Sequence, residues 1–275
     1  MAALAALSLA APASPAPIED KRLRTVRTWA MAIGTGALAN VMQRPGAFDL
    51  VVVDGEEITR AQVLKLRRHG TLVLGYLSVG TIEDYRWWYS AAEPFRLELW
   101  GDWGEWYADV SRSGFRDLLA GRVAPGMLNK GLTGLFLDNT DMVETHAAQR
   151  EGMQRLVRRL AILVHSRNRL LFTQNGQSSI GPTLRYYDGW NREDVTYSYD
   201  FDTDRYVRVG TAERRSALAA VRRIRDRGLL VTTIDYLPAG RPGATAEARR
   251  NACRAGALPY VSNIGLTRVP RAVAC

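Results

Sequence analysis

Short apolar runs recur along the chain, most of them breaking off at a polar residue. They are Thr28–Ile33, Asp49–Asp54, Leu72–Ser78, Gly134–Asp138, Leu170–Asn175, Gly189–Glu193, Leu230–Asp235 and Leu258–Asn263. Near-continuous apolarity is the pattern of a parallel strand covered by helices, because both of its faces are buried. Gly189–Glu193 is the least strand-like of the eight, and its assignment rests on its place in the series. Helical periodicity lies between many of the runs. Met153, Leu156, Val157, Leu160, Leu163 and Val164 follow 3.6-residue spacing, and Ala217, Leu218, Val221 and Ile224 repeat it. Two further helices are expected from Ile58 to His69 and from Thr245 to Ala255. Gly70, Gly228 and Gly256 stand where three of these helices should stop.

Strands alternating with helices eight times predict an α/β fold of the (β/α)8 TIM-barrel type, as a single domain over residues 21–275. An open doubly wound sheet is the competing arrangement. The dinucleotide fingerprint expected of many such sheets is absent, since Gly34-Thr-Gly36 is too short a match. One connection is far longer than the others, from Ser78 to about Leu132. It carries Trp87, Trp88, Trp100, Trp103 and Trp106, five of the seven tryptophans. In a barrel such an excursion builds the active-site face. Flat rings there suit sugar stacking, although about half of them are expected to be packing residues.

Composition changes this picture little. The 275 residues carry a formal charge of +9. Lys21, Lys65 and Lys130 are the only lysines among the 37 basic residues, and the arginines fall mainly on expected helices. That distribution favours solvated helix faces over a nucleic-acid patch. Residues 1–20 are small and apolar with Ala/Pro steps. They read as a secretory signal peptide without its basic start, or as a disordered Ala/Pro leader. No later run approaches the ~18 apolar residues of a membrane span. Two cysteines, Cys253 and Cys275, fit one disulfide in an oxidising compartment. His69, His146 and His165 are scattered, which argues against a zinc site or a histidine-based triad.

The strand ends carry the candidate chemistry: Asp54, Ser78, Asp138, Asn175, Glu193, Asp235 and Asn263. In a barrel all of these ends share one face. Asp138 closes Gly134-Leu-Phe-Leu-Asp138, with Asp141 three residues on, and Glu193 closes Tyr187-Asp-Gly-Trp-Asn-Arg-Glu193. Two carboxylates on facing strand ends are what glycoside hydrolysis needs, one to attack or activate water and one to protonate the leaving oxygen. Two other readings compete. A strand-end aspartate can simply cap the next turn through backbone N–H groups. Asp54, Asp138, Asp141 and Asp235 could also offer oxygens to magnesium or calcium, although no metal loop accompanies them.

At these residues the chain resembles a known family. Gly75-Tyr-Leu-Ser-Val-Gly-Thr-Ile-Glu-Asp-Tyr-Arg86 is similar to the third-strand motif of the glycoside hydrolase family 114 / endo-α-1,4-polygalactosaminidase group. Gly131-Leu-Thr-Gly-Leu-Phe-Leu-Asp-Asn-Thr-Asp141 resembles the strand carrying its Leu-Asp-x-x-Asp motif. Trp106–Val110, Phe115–Leu119, Gln174-Asn-Gly176, the Asp188–Glu193 stretch, Thr233-Ile-Asp-Tyr236 and Pro259-Tyr-Val-Ser262 continue the match in order. The resemblance implies a retaining (β/α)8 α-glycosidase without a cofactor or metal. Its nucleophile would be Asp138 and its acid/base Glu193. Asp54, Tyr76, Ser78, Asp141, Asn175, Asp235 and Tyr236 would bind the sugar. There are two departures. Asp194 follows Glu193 and competes for the acid role, and Thr81 stands where the family often has an acidic residue. The expected partner is an amino-sugar polysaccharide or oligosaccharide, met outside the cell by a monomer that binds no nucleic acid. A non-catalytic carbohydrate-binding protein on the same barrel, or a metal-dependent phosphate or ester hydrolase, are the alternatives.

Overall fold

The computed structural model describes residues 21–275; the expected leader, residues 1–20, lies outside them. Eight parallel strands form one sheet in chain order: β1 Trp29–Ala32, β2 Leu50–Asp54, β3 Leu72–Ser78, β4 Gly134–Asp138, β5 Leu170–Gln174, β6 Gly189–Glu193, β7 Leu230–Tyr236 and β8 Leu258–Ser262. The sheet curls into a nearly closed barrel. Side chains bridge its seam: the Trp29 indole N–H donates to the Leu258 carbonyl at 2.9 Å, and the Tyr260 hydroxyl to that of Met31 at 3.0 Å. The expected strands all form, with ends shifted by at most a residue, so the open-sheet alternative is set aside.

The expected helices form as Arg60–Arg68, Arg150–His165, Thr211–Arg225 and Pro242–Ala255. The first begins where Thr59 supplies a capping box. Its hydroxyl accepts the Gln62 N–H, while the Gln62 side chain accepts the Thr59 N–H at 2.8 Å. Leu156, Val157, Leu160 and Val164 bury the inner stripe of the second. The helix Pro242–Ala255 is tied to the chain end by a disulfide between Cys253 and Cys275, whose Cα atoms are 5.4 Å apart.

The barrel interior explains the weak strand β6. A side chain at Gly189 would put its Cβ 2.0 Å from the Phe172 ring of β5, so only glycine leaves room there. The rest of β6 is polar because it serves the site above. The long connection after β3 folds into a small antiparallel sheet of Thr81–Ile82, Arg96–Trp100 and Glu105–Ala108, followed by helical segments between Ser113 and Asn129. Gly80 lets this connection leave β3 hard against the loop after β4: a Cβ there would meet the Asn139 carbonyl at 2.0 Å. A second hairpin, Tyr197–Asp200 with Arg205–Arg208, projects after β6 and was not anticipated. Among the described residues no helix is long and apolar enough to cross a membrane.

Candidate active site

All eight strands run the same way, so their C-terminal ends surround one mouth. A cavity of about 260 Å³ opens there. Asp54, Tyr76, Asp138, Asp141, Asn175, Glu193 and Tyr236 line it, as expected. Ser78 and Asp235 do not. Ser78 is buried beneath Thr81 and Asn139, to which its hydroxyl is bonded at 2.5 and 3.0 Å. Asp235 neighbours Tyr236 on β7, and successive strand residues face opposite ways. Its carboxylate instead accepts the backbone N–H groups of Thr196 and Tyr197, at 2.5 and 2.8 Å, and so pins the chain just after Glu193. Burial pushes the Asp235 carboxyl up to about 7. Asp194 is likewise absent from the lining.

Asp138 meets a full set of donors. Its Oδ1 accepts from the Gln174 amide at 2.5 Å and the Asn139 N–H at 2.7 Å, and its Oδ2 from the Tyr76 hydroxyl at 2.7 Å. The Gln174 amide is itself fixed from below. Its Oε1 accepts from Asn191 at 3.1 Å, and Asn191 in turn accepts from the Thr232 hydroxyl at 2.9 Å. With its oxygen occupied, Gln174 presents an N–H to Asp138. Burial raises the Asp138 carboxyl above the ordinary range, while the bonds from Tyr76, Gln174 and Asn139 pull it back toward the charged form.

Glu193 is placed differently. Oε2 accepts from the Asn175 amide at 2.7 Å, and Oε1 meets the Tyr236 hydroxyl. Asn175 also accepts the Glu193 N–H at 3.1 Å and an Arg192 guanidinium N–H at 3.0 Å, so one side chain holds the backbone and the carboxyl of residue 193 together. Burial, and then the Asp138 charge, push the Glu193 carboxyl up to about 8. When two coupled carboxyls share one proton, the one with more donors stays charged. The pair therefore offers a carboxylate beside a protonated acid, the combination glycoside hydrolysis uses.

The opposite wall comes from the long connection, where the sequence placed the active-site face, but its charged residues Glu83, Arg86 and Glu105 were not singled out. Arg86 bonds Glu83 with two of its nitrogens, at 2.5 and 2.9 Å, and Asp54 with the third, at 2.7 Å. Asp54 also accepts the N–H groups of Glu56 and Glu57, so it caps its turn as well as facing the cavity. Asp54, Asp138 and Asp141 share the cavity but Asp235 is turned away, and among the described residues no three His, Cys, Asp or Glu side chains are grouped so as to hold a metal ion. Glu105 reaches in from the hairpin and accepts the Thr81 hydroxyl at 2.6 Å, bringing a carboxyl to the place where position 81 lacks one. Burial and the neighbouring Glu83 push it up to about 7. Asp141 is also pushed up to about 7, by burial and by Asp138. The lining thus holds six carboxyl groups and one guanidinium. Of the five clustered tryptophans, Trp100 and Trp103 line the cavity, Trp88 is buried and Trp87 is exposed under the Arg122 guanidinium. Trp103 also meets Phe201 of the second hairpin edge to face at 5.2 Å.

Comparison with known proteins agrees with this geometry. The family model of glycoside-hydrolase family GH114 matches residues 8–270. No curated protein matches by sequence. The glycoside hydrolase domain of PelA from Pseudomonas aeruginosa is 25% identical, with 91% of this chain and 98% of that one covered and a TM-score of 0.73. Ega3 of Aspergillus fumigatus, solved in complex with galactosamine, is 17% identical over 98% of this chain and 100% of that one, with a TM-score of 0.67. Trehalose-6-phosphate hydrolase of Bacillus licheniformis is 10% identical over 86% of this chain and 64% of that one, at a TM-score of 0.56, and shares the fold. This chain belongs to glycoside-hydrolase family GH114 and is a glycoside hydrolase.

Proposed function

We propose that the protein is an exported, retaining hydrolase of α-linked amino-sugar polysaccharide, resembling the polygalactosaminidases, with Asp138 as nucleophile and Glu193 as acid/base. The observation that carries this is the unequal treatment of two carboxyls that burial raises alike within one cavity: three donors pull Asp138 back toward its charged form, while Glu193 meets two and is pushed up to about 8. Asp138 Oδ2 accepts one hydrogen bond where Oδ1 accepts two, so Oδ2 keeps a lone pair free for attack. Its bond to the anomeric carbon forms as the glycosidic C–O bond breaks, and the leaving oxygen takes the Glu193 proton. Water then attacks the glycosyl-enzyme, returning a proton to Glu193 and releasing the Asp138 carboxylate.

The acid-rich lining supports an amino sugar, because its ammonium group is attracted to the carboxylates while the overall charge of +9 repels it elsewhere. The similarity to Ega3, which was solved with galactosamine, points the same way. The Cys253–Cys275 disulfide supports an oxidising compartment, hence export.

The test is turnover of a defined α-1,4-galactosamine oligomer, with the product anomer read by NMR. Asp138→Asn and Glu193→Gln should each lower kcat by about 10³-fold or more with the melting transition intact, and wild type should release the α-anomer first. Wild-type turnover in either variant would refute the assignment, and initial β-product would refute retention.

A further inference from the structure

A second cavity, about 480 Å³, lies on the same end of the barrel and has the opposite character. The loop after β7, one face of the helix Pro242–Ala255 and the segment after β8 enclose it. Arg241, Arg249, Arg250 and Arg268 line it, together with Thr245, and no carboxylate is among its lining residues. Thr245 and Arg249 are four residues apart and share a helix face. The helix carries a single acid, Glu247, which is taken elsewhere by Arg208 and by the Tyr197 hydroxyl. Its first turn has neither an acidic residue nor a side-chain cap, so the positive end of its dipole is unopposed there.

Arg268 is anchored. Its N–H donates to Asn263 at 3.0 Å, its carbonyl accepts from Ser262 at 2.7 Å, and its guanidinium donates to the Leu237 carbonyl at 3.0 Å. Its Nε is buried without a hydrogen-bond partner. Burial, and then the like charge of Arg268, lower the Arg249 pKa. Guanidiniums stay charged in proteins, so such a group of like charges is relieved by an anion rather than by proton loss.

We propose that this groove is a binding site for a tetrahedral oxyanion, a phosphate group, held by the forked N–H donors of Arg249 and Arg268 and flanked by Arg241 and Arg250. Arginine forks match phosphate geometry two bonds at a time. In (β/α)8 barrels, the loops after the seventh and eighth strands with a nearby helix N-terminus form phosphate sites frequently. The groove adjoins the acid-rich cavity: Gly265 and Leu266 line that cavity, and Arg268 lines this one. The same chemistry can come from free phosphate or from phosphodiesters of a polymer.

Calorimetric titration with inorganic phosphate at low ionic strength, with chloride as control, tests the proposal. Wild type should show saturable binding of one phosphate, and the Arg249→Gln/Arg250→Gln variant should weaken it about tenfold or more. These two positions lie on the helix surface and avoid the anchored Arg268; a melting curve checks the fold, and Arg249→Lys should restore only part of the affinity because it lacks the fork. A single-stranded oligonucleotide identifies the source. Tighter binding than phosphate, lost in the variant, assigns the site to chain-borne phosphate; binding no tighter than phosphate assigns it to the free ion. No saturable phosphate binding, or equal binding by variant and wild type, overturns the site.

Discussion

The floor and the wall of the active cavity are built in different ways. The floor is strand-borne. Asp138, Gln174, Glu193 and Tyr236 end four strands, and their partners come from neighbouring strands in register, as Ser78 with Asp138 and Gln174 with Asn191. The wall is loop-borne: Glu83 and Arg86 lie in the connection after β3, and Glu105, Trp100 and Trp103 on its hairpin. A rigid ladder sets positions to the fraction of an ångström that bond-making requires, whereas a loop can change without disturbing the barrel. Under the proposed function, this division gives chemistry to the floor and selection of the sugar to the wall.

The largest effects after loss of the carboxyls themselves should come from the residues that hold them. Gln174→Met keeps the shape but removes a donor to Asp138, whose pKa then rises. The acid limb of kcat/KM should move up by about one pH unit and kcat should fall about 10–100-fold. Asn175→Asp tolerates the same left-handed backbone, φ 52°, and places a like charge beside Glu193. That raises the Glu193 pKa further and moves the alkaline limb up instead. A pH profile in which both variants shift the same limb would break the division of roles between the two carboxyls.

The sequence made the floor legible because strand ends follow from apolar runs, and barrel geometry brings distant ends together. Asp54, Asp138, Asn175 and Glu193 were reached in that way, whereas Tyr76 and Tyr236 came only from the family resemblance. Gln174 was missed because the run was read one residue too long, which moved attention to Asn175. Asp235 was misplaced by the same coarse rule, since a strand-end position does not say which face a side chain takes. The aromatic part of the wall was anticipated, but its charged residues were hidden because they meet through loop folding. Arg86 finds Asp54 across 32 residues, and Glu105 finds Thr81 across 24. The hints were local: Glu83 and Arg86 are three apart, and the turn at Gly101–Gly104 joins two strands. The hairpin after β6 was equally hidden, its strands being only four residues each.

A smaller effect should separate selection from chemistry. At about pH 7.5 the Glu105 carboxyl, pushed up to about 7, is mostly ionised and available to a substrate ammonium. Glu105→Gln should raise KM for a cationic galactosamine oligomer about 3–10-fold while kcat stays within about twofold, because the lost attraction acts equally on bound substrate and transition state. A fully N-acetylated oligomer should show no change in KM. A fall in kcat on both oligomers would move Glu105 from the wall to the chemistry.

The smallest effect concerns stability. Glu193, Asp141, Glu105 and Asp235 are all pushed up, to about 8 for the first and about 7 for the others. In the unfolded chain such groups titrate near 4. Between these values the folded state binds more protons than the unfolded one, so stability falls as pH rises. The contribution is complete below about pH 4 and is lost as pH climbs through 7 and 8. Glu193→Gln removes one of these groups without emptying its space. Its Tm should match wild type only at or below about pH 4, where Glu193 is neutral in both states, should already lie above it at about pH 5.5, and should exceed it by at least about 2–4 °C at about pH 8.5. Asp138→Asn should gain less at high pH, because three donors that stabilise its charge, Tyr76, Gln174 and Asn139, would lose it. Thermal melts of the two variants across this range therefore read the same asymmetry as the kinetics, without substrate. A larger alkaline gain for Asp138→Asn than for Glu193→Gln would exchange the acid and the nucleophile.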